Sequence, residues 1–201
     1  MGQAFLQQAL ADARVSKVVA PTRRPLPPHP RLENPLVDFA QLPEDAPWWA
    51  VDAVACALGT TIRDAGSQAA FREVDYAYPL AVARCARRAG AASFVLTSAA
   101  GADPDSRIFY SRTKGELERD LAGLGFASLN FVRPGLLGGT RERRRPTEFI
   151  GLKLLGAIGP VLPRRYRVVP AGQVAACLLQ AALLSQPGLH VIEAEAIAGD
   201  R

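Results

Sequence analysis

Three residues between positions 98 and 114 have side chains that can move a proton to or from a carbonyl or alcohol oxygen. Ser98 ends a short apolar run, Tyr110 follows a polar loop, and Lys114 comes four residues later. That spacing is one helical turn, so the phenol and the ammonium project from the same helix face. Free tyrosine has a pKa of about 10, and a neighbouring ammonium favours the phenolate and lowers that pKa. We therefore expect Tyr110 to be the general acid/base and Ser98 to hydrogen-bond the substrate oxygen.

A tyrosine and a lysine at this spacing also occur on ordinary surface helices, so the pair alone is a weak signal. Thr97 and Ser98 strengthen it, because they end the apolar run 94–96, which reads as a buried strand. Ligands of open α/β sheets bind at the carboxyl ends of the strands. The position of the serine therefore favours chemistry over a surface turn.

The elements that must position these residues alternate along the chain. Strands or extended segments are predicted at 15–20, 36–37, 53–58, 94–96, 128–132 and 190–192, and helices at 3–11, 69–89, 114–124 and 171–184. Strands that alternate with helices of this length predict βαβ units and an α/β fold with a mostly parallel sheet. We find no repeat and no linker, so residues 1–201 are predicted to form one domain.

Composition excludes several functional classes. The chain is 49% hydrophobic and 21% charged, and its net charge of +5 comes from 24 basic and 19 acidic residues, which does not indicate a nucleic-acid partner. Cys56, Cys85 and Cys177 have no metal-binding spacing, so we predict reduced thiols and no metal site. No signal peptide and no apolar run long enough to span a bilayer is found. We therefore expect a cytoplasmic protein without a membrane span.

Five segments, in this order, resemble the atypical short-chain dehydrogenases, in the branch of the Tat-interacting oxidoreductase and its bacterial relatives. They are CALGTT (56–61), FREVDY (71–76), FVLTSAAGAD (94–103), YSRTKGELE (110–118) and FVRPGLLGG (131–139). The resemblance covers nearly the whole chain and implies a Rossmann-like, doubly wound sheet with helices on both faces that binds NADP or NAD. It also implies an oxidoreductase acting on an alcohol or carbonyl, with Ser98, Tyr110 and Lys114 as the catalytic trio and Lys114 also holding the nicotinamide ribose.

The same resemblance assigns a cofactor site. Arg23 and Arg24 stand where an acidic residue would hold the ribose of NAD, and two guanidiniums suit a 2′-phosphate, which favours NADP. A solvated basic loop is the alternative. The other assigned positions are Asp38 and Phe39 beside the adenine, Leu58, Gly59 and Thr60 along the diphosphate and ribose, Thr97 at the strand end, and Pro134 and Gly135 beside the nicotinamide.

The N-terminus departs from the family pattern. Members of the family begin with a strand and a glycine-rich turn, broadly TGxxGxxG, which cradles the pyrophosphate. This sequence begins MGQAFL, and Gly2 resembles the last glycine of that motif. Either the given sequence starts at an internal methionine, which we favour, or the protein is truncated. Because the first strand is central in this topology, we expect its two neighbours to lose ladder partners and NADP to bind weakly.

Some interpretations stay open at this level. Residues 140–168 are a possible substrate lid, because two basic clusters (Arg141, Arg143, Arg144 and Arg145; Arg164, Arg165 and Arg167) flank the apolar segment 149–162. These clusters form a solvated face, or else bind an acidic substrate or a protein partner. Asp64 and Asp75 are interpreted as capping or surface carboxylates. We expect a small-molecule substrate and a monomer or homodimer, and the alternative to an enzyme is a non-catalytic NAD(P)-binding regulator or sensor.

Overall fold

The computed structural model describes residues 1–138 and 168–198, in which strands and helices alternate. The strands are β1 Val18–Val19, β2 Leu32–Glu33, β3 Ala53–Cys56, β4 Ser93–Thr97, β5 Ser128–Arg133, β6 Leu136–Gly138, β7 Val168–Pro170 and β8 Gly188–Glu193. The helices are α1 Gly2–Ala11, α2 Ile62–Ala65, α3 Gln68–Arg72, α4 Tyr78–Arg88, α5 Phe109–Ala122, α6 Ala171–Leu184 and α7 Ala194–Ala198, with a 3₁₀ turn at Pro47–Trp49 and a π turn at Glu73–Ala77.

The centre of the fold is a parallel sheet in the order β3-β4-β5-β8. Its register pairs Ala53 with Ser93, Ser93 with Ser128, and Ser128 with Gly188. Every residue of β4 is buried, which is typical of a parallel strand covered on both faces by helices. The predicted α/β fold with a doubly wound parallel sheet is therefore confirmed.

Side chains of the central strands alternate between two apolar cores, because successive residues of a strand point to opposite faces. Phe94 and Leu96 pack with Leu117 and Leu121 of α5 in the larger core. Val95 lies in the second core, which includes residues of α6 and is extended by residues of α1. Helices α4 and α5 thus cover one face of the sheet and α1 and α6 the other, leaving the carboxyl ends of β3, β4 and β5 along one edge.

Strands β1 and β2 form a separate parallel pair. Arg31 fastens the pair to α1, because its guanidinium donates to the carbonyl oxygens of Asp12 (3.0 Å) and Val15 (2.6 Å) and to that of Leu10. These bonds occupy carbonyls at and beyond the end of α1, where helical partners run out.

Two predicted helices differ in the structure. The predicted helix at 69–89 is present from Gln68 to Arg88, but a π turn at Glu73–Ala77 replaces its regular hydrogen bonds between α3 and α4. Pro79 gives the physical reason: it has no N–H to donate to the Asp75 carbonyl, and its ring crowds that carbonyl in a regular helix. The ladder instead widens, and the N–H of Tyr78 donates to the carbonyl of Glu73. The helix predicted from Lys114 begins earlier, at Phe109.

Within residues 1–138 and 168–198, none of the helices combines the length and the apolar character needed to cross a bilayer. The proposed lid at 140–168 falls outside the described residues except for Val168. The arginine clusters at 141–145 and 164–167 lie outside them as well.

Candidate active site

Ser98 lies directly after β4, at the carboxyl edge of the sheet. Its N–H donates to the carbonyl of Val132 at 2.8 Å, which extends the ladder between β4 and β5 by one bond. The N–H of Ala100 donates to the carbonyl of Pro134 at 3.1 Å, so the loops after these two strands run side by side. The side chain of Ser98 is buried, and its Oγ has no hydrogen-bond partner among the described residues. A buried hydroxyl without a partner is costly unless a ligand completes it.

Tyr110 and Lys114 lie one turn apart near the start of α5. The ring of Tyr110 packs against Phe71 with 5.6 Å between the ring centroids. Lys114 is buried, although lysine is almost never fully buried without a partner. The next residue is Gly115, where a Cβ atom would lie 2.2 Å from the carbonyl carbon of Asp103. Glycine at 115 therefore lets the loop that follows Ser98 pack directly on α5.

The partner of Lys114 is Asp75, from the π turn. The Nζ of Lys114 lies 2.7 Å from Oδ1 of Asp75, and the two side chains are only 4% and 2% exposed. The other oxygen, Oδ2, accepts the N–H of Thr60 at 2.7 Å. A Cβ at Gly59 would lie 3.3 Å from Oδ1 of Asp75 and 4.0 Å from Nζ of Lys114. The turn at 58–60, the lysine and the aspartate thus form one compact cluster.

The pKa of Tyr110 shifts upward in this structure, whereas a downward shift was expected. Burial, together with the negative charge of Asp75, raises the pKa of Tyr110 to about 12. The expected net lowering of this pKa is therefore not found, and the Lys114 ammonium lies against the Asp75 carboxylate. With a pKa of about 12, Tyr110 is a protonated phenol at neutral pH.

Burial likewise raises the pKa of the Cys56 thiol, at the end of β3, to about 11.

The N-terminus of α1 lies at the same edge of the sheet. Sδ of Met1 is 3.9 Å from Oγ1 of Thr97, and a Cβ at Gly2 would lie 3.9 Å from the Cβ of Ala57, just beyond β3. The first turn of α1 carries no acidic residue and no side-chain cap. Its first backbone N–H groups, at the positive end of the helix dipole, are suited to an anion. The start of α1 therefore lies beside the ends of β3 and β4, with Met1 next to Thr97 and Gly2 next to Ala57.

The remaining assigned residues lie around β1 and β2. Arg23 and Arg24 are exposed in the bend that follows β1. Asp38 is also exposed, and its Oδ1 accepts the N–H of Ala40 at 2.9 Å. Phe39 is buried and stacks on Tyr78 with 5.9 Å between the ring centroids. The ring of Phe39 thus takes part in the larger core.

Sequence reasoning missed Asp75, and its interpretation as a capping or surface carboxylate is wrong because the side chain is buried in an ion pair. One signal was available: Pro79 follows four residues later and breaks the regular helical hydrogen bond to Asp75. Gly115 was also missed, and nothing in its local pattern distinguishes it from a tolerated helix glycine. Among the described residues, no group of three or more His, Cys, Asp or Glu side chains is arranged to hold a metal ion.

Comparison with known proteins relates the chain to two sets of relatives. It is 36% identical over 162 residues to protein HTATIP2 of Rattus norvegicus, covering 78% of this chain and 66% of that protein. It is 33% identical over 170 residues to the mitochondrial protein fmp52-1 of Aspergillus terreus, covering 80% and 72%. A 43% identical match to the mitochondrial protein fmp52 of Emericella nidulans covers 52% of this chain and 45% of that protein. The chain thus spans about half of the Emericella protein and about two thirds of HTATIP2. No protein-family model matches the chain.

Solved structures show the same fold at low sequence identity. The Bordetella bronchiseptica enzyme WbmH in complex with NAD⁺ superposes with a TM-score of 0.67 at 16% identity, over 96% of this chain and 71% of that one. The oxidoreductase ylbE of Lactococcus lactis superposes with a TM-score of 0.64 at 15% identity, over 98% and 90%. The fold is therefore the Rossmann-like fold that these two solved structures share.

These relatives also correct one expectation. Several of the FMP52 proteins are named mitochondrial. The expected cytoplasmic location, which depended only on the absence of targeting signals, is contradicted by that finding.

Proposed function

The chain belongs to the family of HTATIP2 and the FMP52 proteins, within the atypical short-chain dehydrogenases, and we propose that it is an NADP(H)-dependent oxidoreductase acting on an alcohol or carbonyl. The observation that carries the proposal is the buried Ser98 hydroxyl, which lacks a partner among the described residues and lies at the carboxyl edge of the sheet. A substrate oxygen bound there would satisfy it. Backbone bonds place the Pro134 loop beside it.

The residues at this edge fit a dinucleotide. The open N-terminus of α1, at Gly2, suits the diphosphate. An ammonium has three N–H bonds, so Lys114 can hold Asp75 and still donate to the hydroxyls of the ribose. Arg23 and Arg24, exposed after β1, supply the positive charge that a 2′-phosphate needs. When bound, the dinucleotide supplies the hydride chemistry.

The chain's own residues orient the substrate and handle the proton. Ser98 donates a hydrogen bond to the substrate oxygen, on which negative charge develops during carbonyl reduction. Tyr110, protonated at neutral pH because its pKa is about 12, donates the proton that this oxygen finally carries. The apolar packing of Tyr110 against Phe71 fixes the ring and limits the access of water.

The test is turnover of NADPH with a panel of aldehydes and ketones. We expect Tyr110→Phe and Ser98→Ala each to lower kcat by about 100-fold or more, the usual size of an acid/base contribution. Tyr76→Phe is the matched control, since that phenol donates to Asp120 at 2.5 Å on the far part of α5 and takes no part in the site. Unchanged turnover in Tyr110→Phe beside an active wild type would refute the assignment.

A non-catalytic NAD(P)-binding sensor is the second candidate. The pairing of Lys114 with Asp75 favours it, because no activated base is formed in this arrangement. A sensor predicts saturable NADPH binding that Tyr110→Phe leaves unchanged, with no turnover of any member of the carbonyl panel by the wild type. An enzyme predicts binding together with turnover that disappears in the variant.

A further inference from the structure

The side-chain amide of Asn34, the residue that follows β2, holds the loop that follows β1. Its Nδ2 donates to the carbonyl of Ala20 at 2.6 Å and to Oγ1 of Thr22 at 2.7 Å. Its Oδ1 accepts the N–H of Leu26 at 2.8 Å. The orientation of the amide follows from these partners, because a carbonyl only accepts and an N–H only donates. One side chain thus bonds the loop both before and after the bend at 23–25.

The start of this bend is anchored at Thr22. Its N–H donates to the carbonyl of Pro35 and its own carbonyl accepts the N–H of Val37, both at 3.0 Å, which continues the parallel pairing of β1 with β2. The hydroxyl of Thr22 accepts a hydrogen bond from Asn34 and donates one to the carbonyl of Arg24 at 2.7 Å. Backbone and side chain therefore both fix the point from which the bend begins.

The loop has few backbone donors with which to hold itself. Five of the ten residues 21–30 are proline, which has no N–H. Within 25–28 the only backbone N–H belongs to Leu26, and it is the one that Asn34 accepts. A proline also restricts the residue before it, which limits the conformations open to Arg24. The Asn34 amide therefore supplies a contact that the backbone of this segment is poorly equipped to make.

The bend carries two exposed cations, Arg23 and Arg24. Among the described residues 1–138 and 168–198, neither guanidinium forms an ion pair. Arg31, later in the same loop, differs because its guanidinium donates to three backbone carbonyls. Two neighbouring guanidiniums suit a phosphate dianion, which accepts strong hydrogen bonds from both and offsets their mutual repulsion.

We propose that Asn34 is a positioning residue for the 2′-phosphate of NADP(H), because its amide and the Thr22 hydroxyl hold the bend that carries Arg23 and Arg24. This inference rests on the proposed function. A loop that is ordered before the ligand arrives does not lose its conformational freedom on binding, so the complex is more stable. NADH lacks the 2′-phosphate. Asn34 therefore sets the preference for NADPH over NADH, and contributes little to the affinity for dinucleotides in general.

The first experiment compares the Kd of NADPH and of NADH in the wild type and in Asn34→Ala. We expect the Kd of NADPH to rise by about 10-fold, equivalent to about 1.4 kcal/mol, and that of NADH by less than about 2-fold. Asn130→Ala is the matched control, since it removes a buried amide from β5 that bonds Oγ of Ser128 at 3.1 Å. It should leave the ratio of the two Kd values unchanged. An equal rise for both dinucleotides in Asn34→Ala would overturn the inference.

A smaller pair of probes isolates the phosphate. Adenosine 2′,5′-bisphosphate carries the 2′-phosphate without the nicotinamide, and 5′-AMP lacks it. In Asn34→Ala we expect the Kd of the bisphosphate to rise by about 10-fold and that of 5′-AMP to stay the same. Equal Kd values for the bisphosphate in the wild type and the variant would contradict the proposed role.

Thr22→Val keeps the test decisive if Asn34→Ala does not fold. Valine has the shape of threonine and suits extended backbone, but it lacks the hydroxyl that connects Asn34 with the carbonyl of Arg24. We expect the Kd of adenosine 2′,5′-bisphosphate to rise by about 3-fold or more, with 5′-AMP unaffected. If Asn34→Ala cannot be purified, an unchanged Kd in Thr22→Val overturns the inference.

The order of the loop can be measured without any ligand. The N–H of Leu26, bonded to Oδ1 of Asn34, should be protected from hydrogen exchange in the cofactor-free wild type. In Asn34→Ala we expect this amide to exchange about 10-fold faster or more, because local opening no longer breaks a hydrogen bond. Equal exchange rates, measured by NMR on ¹⁵N-labelled protein, would mean that the loop is held without Asn34.

Failure of this inference is distinguishable from failure of the proposed function. If Arg23→Ala/Arg24→Ala loses the preference for NADPH but Asn34→Ala keeps it, the NADP assignment stands and the role of Asn34 is refuted. If the arginine double variant binds NADPH as the wild type does, the proposed NADP specificity itself fails, whatever the exchange of the Leu26 amide shows.

Discussion

The Nζ of Lys114 lies 2.7 Å from Oδ1 of Asp75, with 4% and 2% of the two side chains exposed. Such a pair is expensive to bury and stable only while both charges are present. It connects α5 to the π turn between α3 and α4, which lie far apart in the chain. The position of the proposed catalytic lysine therefore depends on a residue outside the proposed trio of Ser98, Tyr110 and Lys114.

Loss of one member of this pair should be strongly destabilising. We expect Lys114→Met to lower the free energy of unfolding in urea by about 3–5 kcal/mol, because it leaves the Asp75 carboxylate buried and uncompensated. Adding Asp75→Asn should restore much of that loss. Lys17→Met, which breaks the exposed ion pair with Glu33, should change stability by less than about 1 kcal/mol. Equal effects of the two lysine variants would show that Lys114 is hydrated in solution.

Gly115 should tolerate no side chain. A Cβ there would lie 2.2 Å from the carbonyl carbon of Asp103 and 2.2 Å from the nitrogen of Pro104, both backbone atoms that cannot rotate away. We expect Gly115→Ala to push the loop after Ser98 away from α5, lowering stability by about 2 kcal/mol or more and lowering kcat as well. Urea unfolding and NADPH turnover measure the two effects.

Gly123 is the matched control for that substitution. It follows α5 directly with an ordinary backbone conformation, and a Cβ there would meet only the carbonyl oxygen of Asp120 at 3.4 Å. Gly123→Ala should be neutral or stabilising by up to about 1 kcal/mol. A similar loss in both alanine variants would mean that the close approach of Asp103 is not maintained in solution.

The buried thiol of Cys56 should give stability an alkaline dependence. Its pKa is about 11 in the folded chain against an ordinary 9.0. Below pH 9 both states keep the proton and nothing is lost. As pH rises from 9 to 11 the unfolded chain loses its proton first, so the free energy of unfolding should fall by about 2 kcal/mol.

Chemical unfolding at a series of pH values tests this dependence. Cys56→Ala should flatten the decline between pH 9 and 11, whatever its effect on stability at neutral pH. Cys177→Ala, at a half-buried thiol whose pKa burial raises in the same direction, should flatten it less. An unchanged slope in Cys56→Ala would indicate that the thiol is accessible to water.

Arg23 and Arg24 should decide between the two dinucleotides. Each guanidinium that binds a 2′-phosphate is worth about 1.5–3 kcal/mol, so we expect the double variant Arg23→Ala/Arg24→Ala to raise the Kd of NADPH by about 100-fold or more. Binding of NADH should stay the same, because NADH lacks that phosphate. Arg88→Ala removes an exposed arginine paired with Glu44 and serves as the control. Equal losses for NADPH and NADH would point to a general effect on the fold.

Local pattern was sufficient for much of the fold. The apolar run before Thr97 and Ser98 is β4, and the helix carrying Tyr110 and Lys114 is α5, although it begins at Phe109 instead of near Lys114. These elements were predictable because the spacing of apolar residues within a short stretch of sequence distinguishes a strand from a helix. Irregularities inside an element were harder to predict from local pattern. The π turn within the predicted helix at 69–89 depends on one residue, Pro79. The location was wrong because the absence of a signal carries little information.

The sequence by itself determined the alternation of strands and helices, the hydroxyl at the end of β4, and the spacing of the phenol and the ammonium on one helix face. Only the tertiary structure decided which group the Lys114 ammonium contacts, because its ion-pair partner, Asp75, comes from another helix. Whether a lysine lowers the pKa of a tyrosine depends on every charge nearby and on the exclusion of water, and folding sets both by bringing together residues that are distant in the chain.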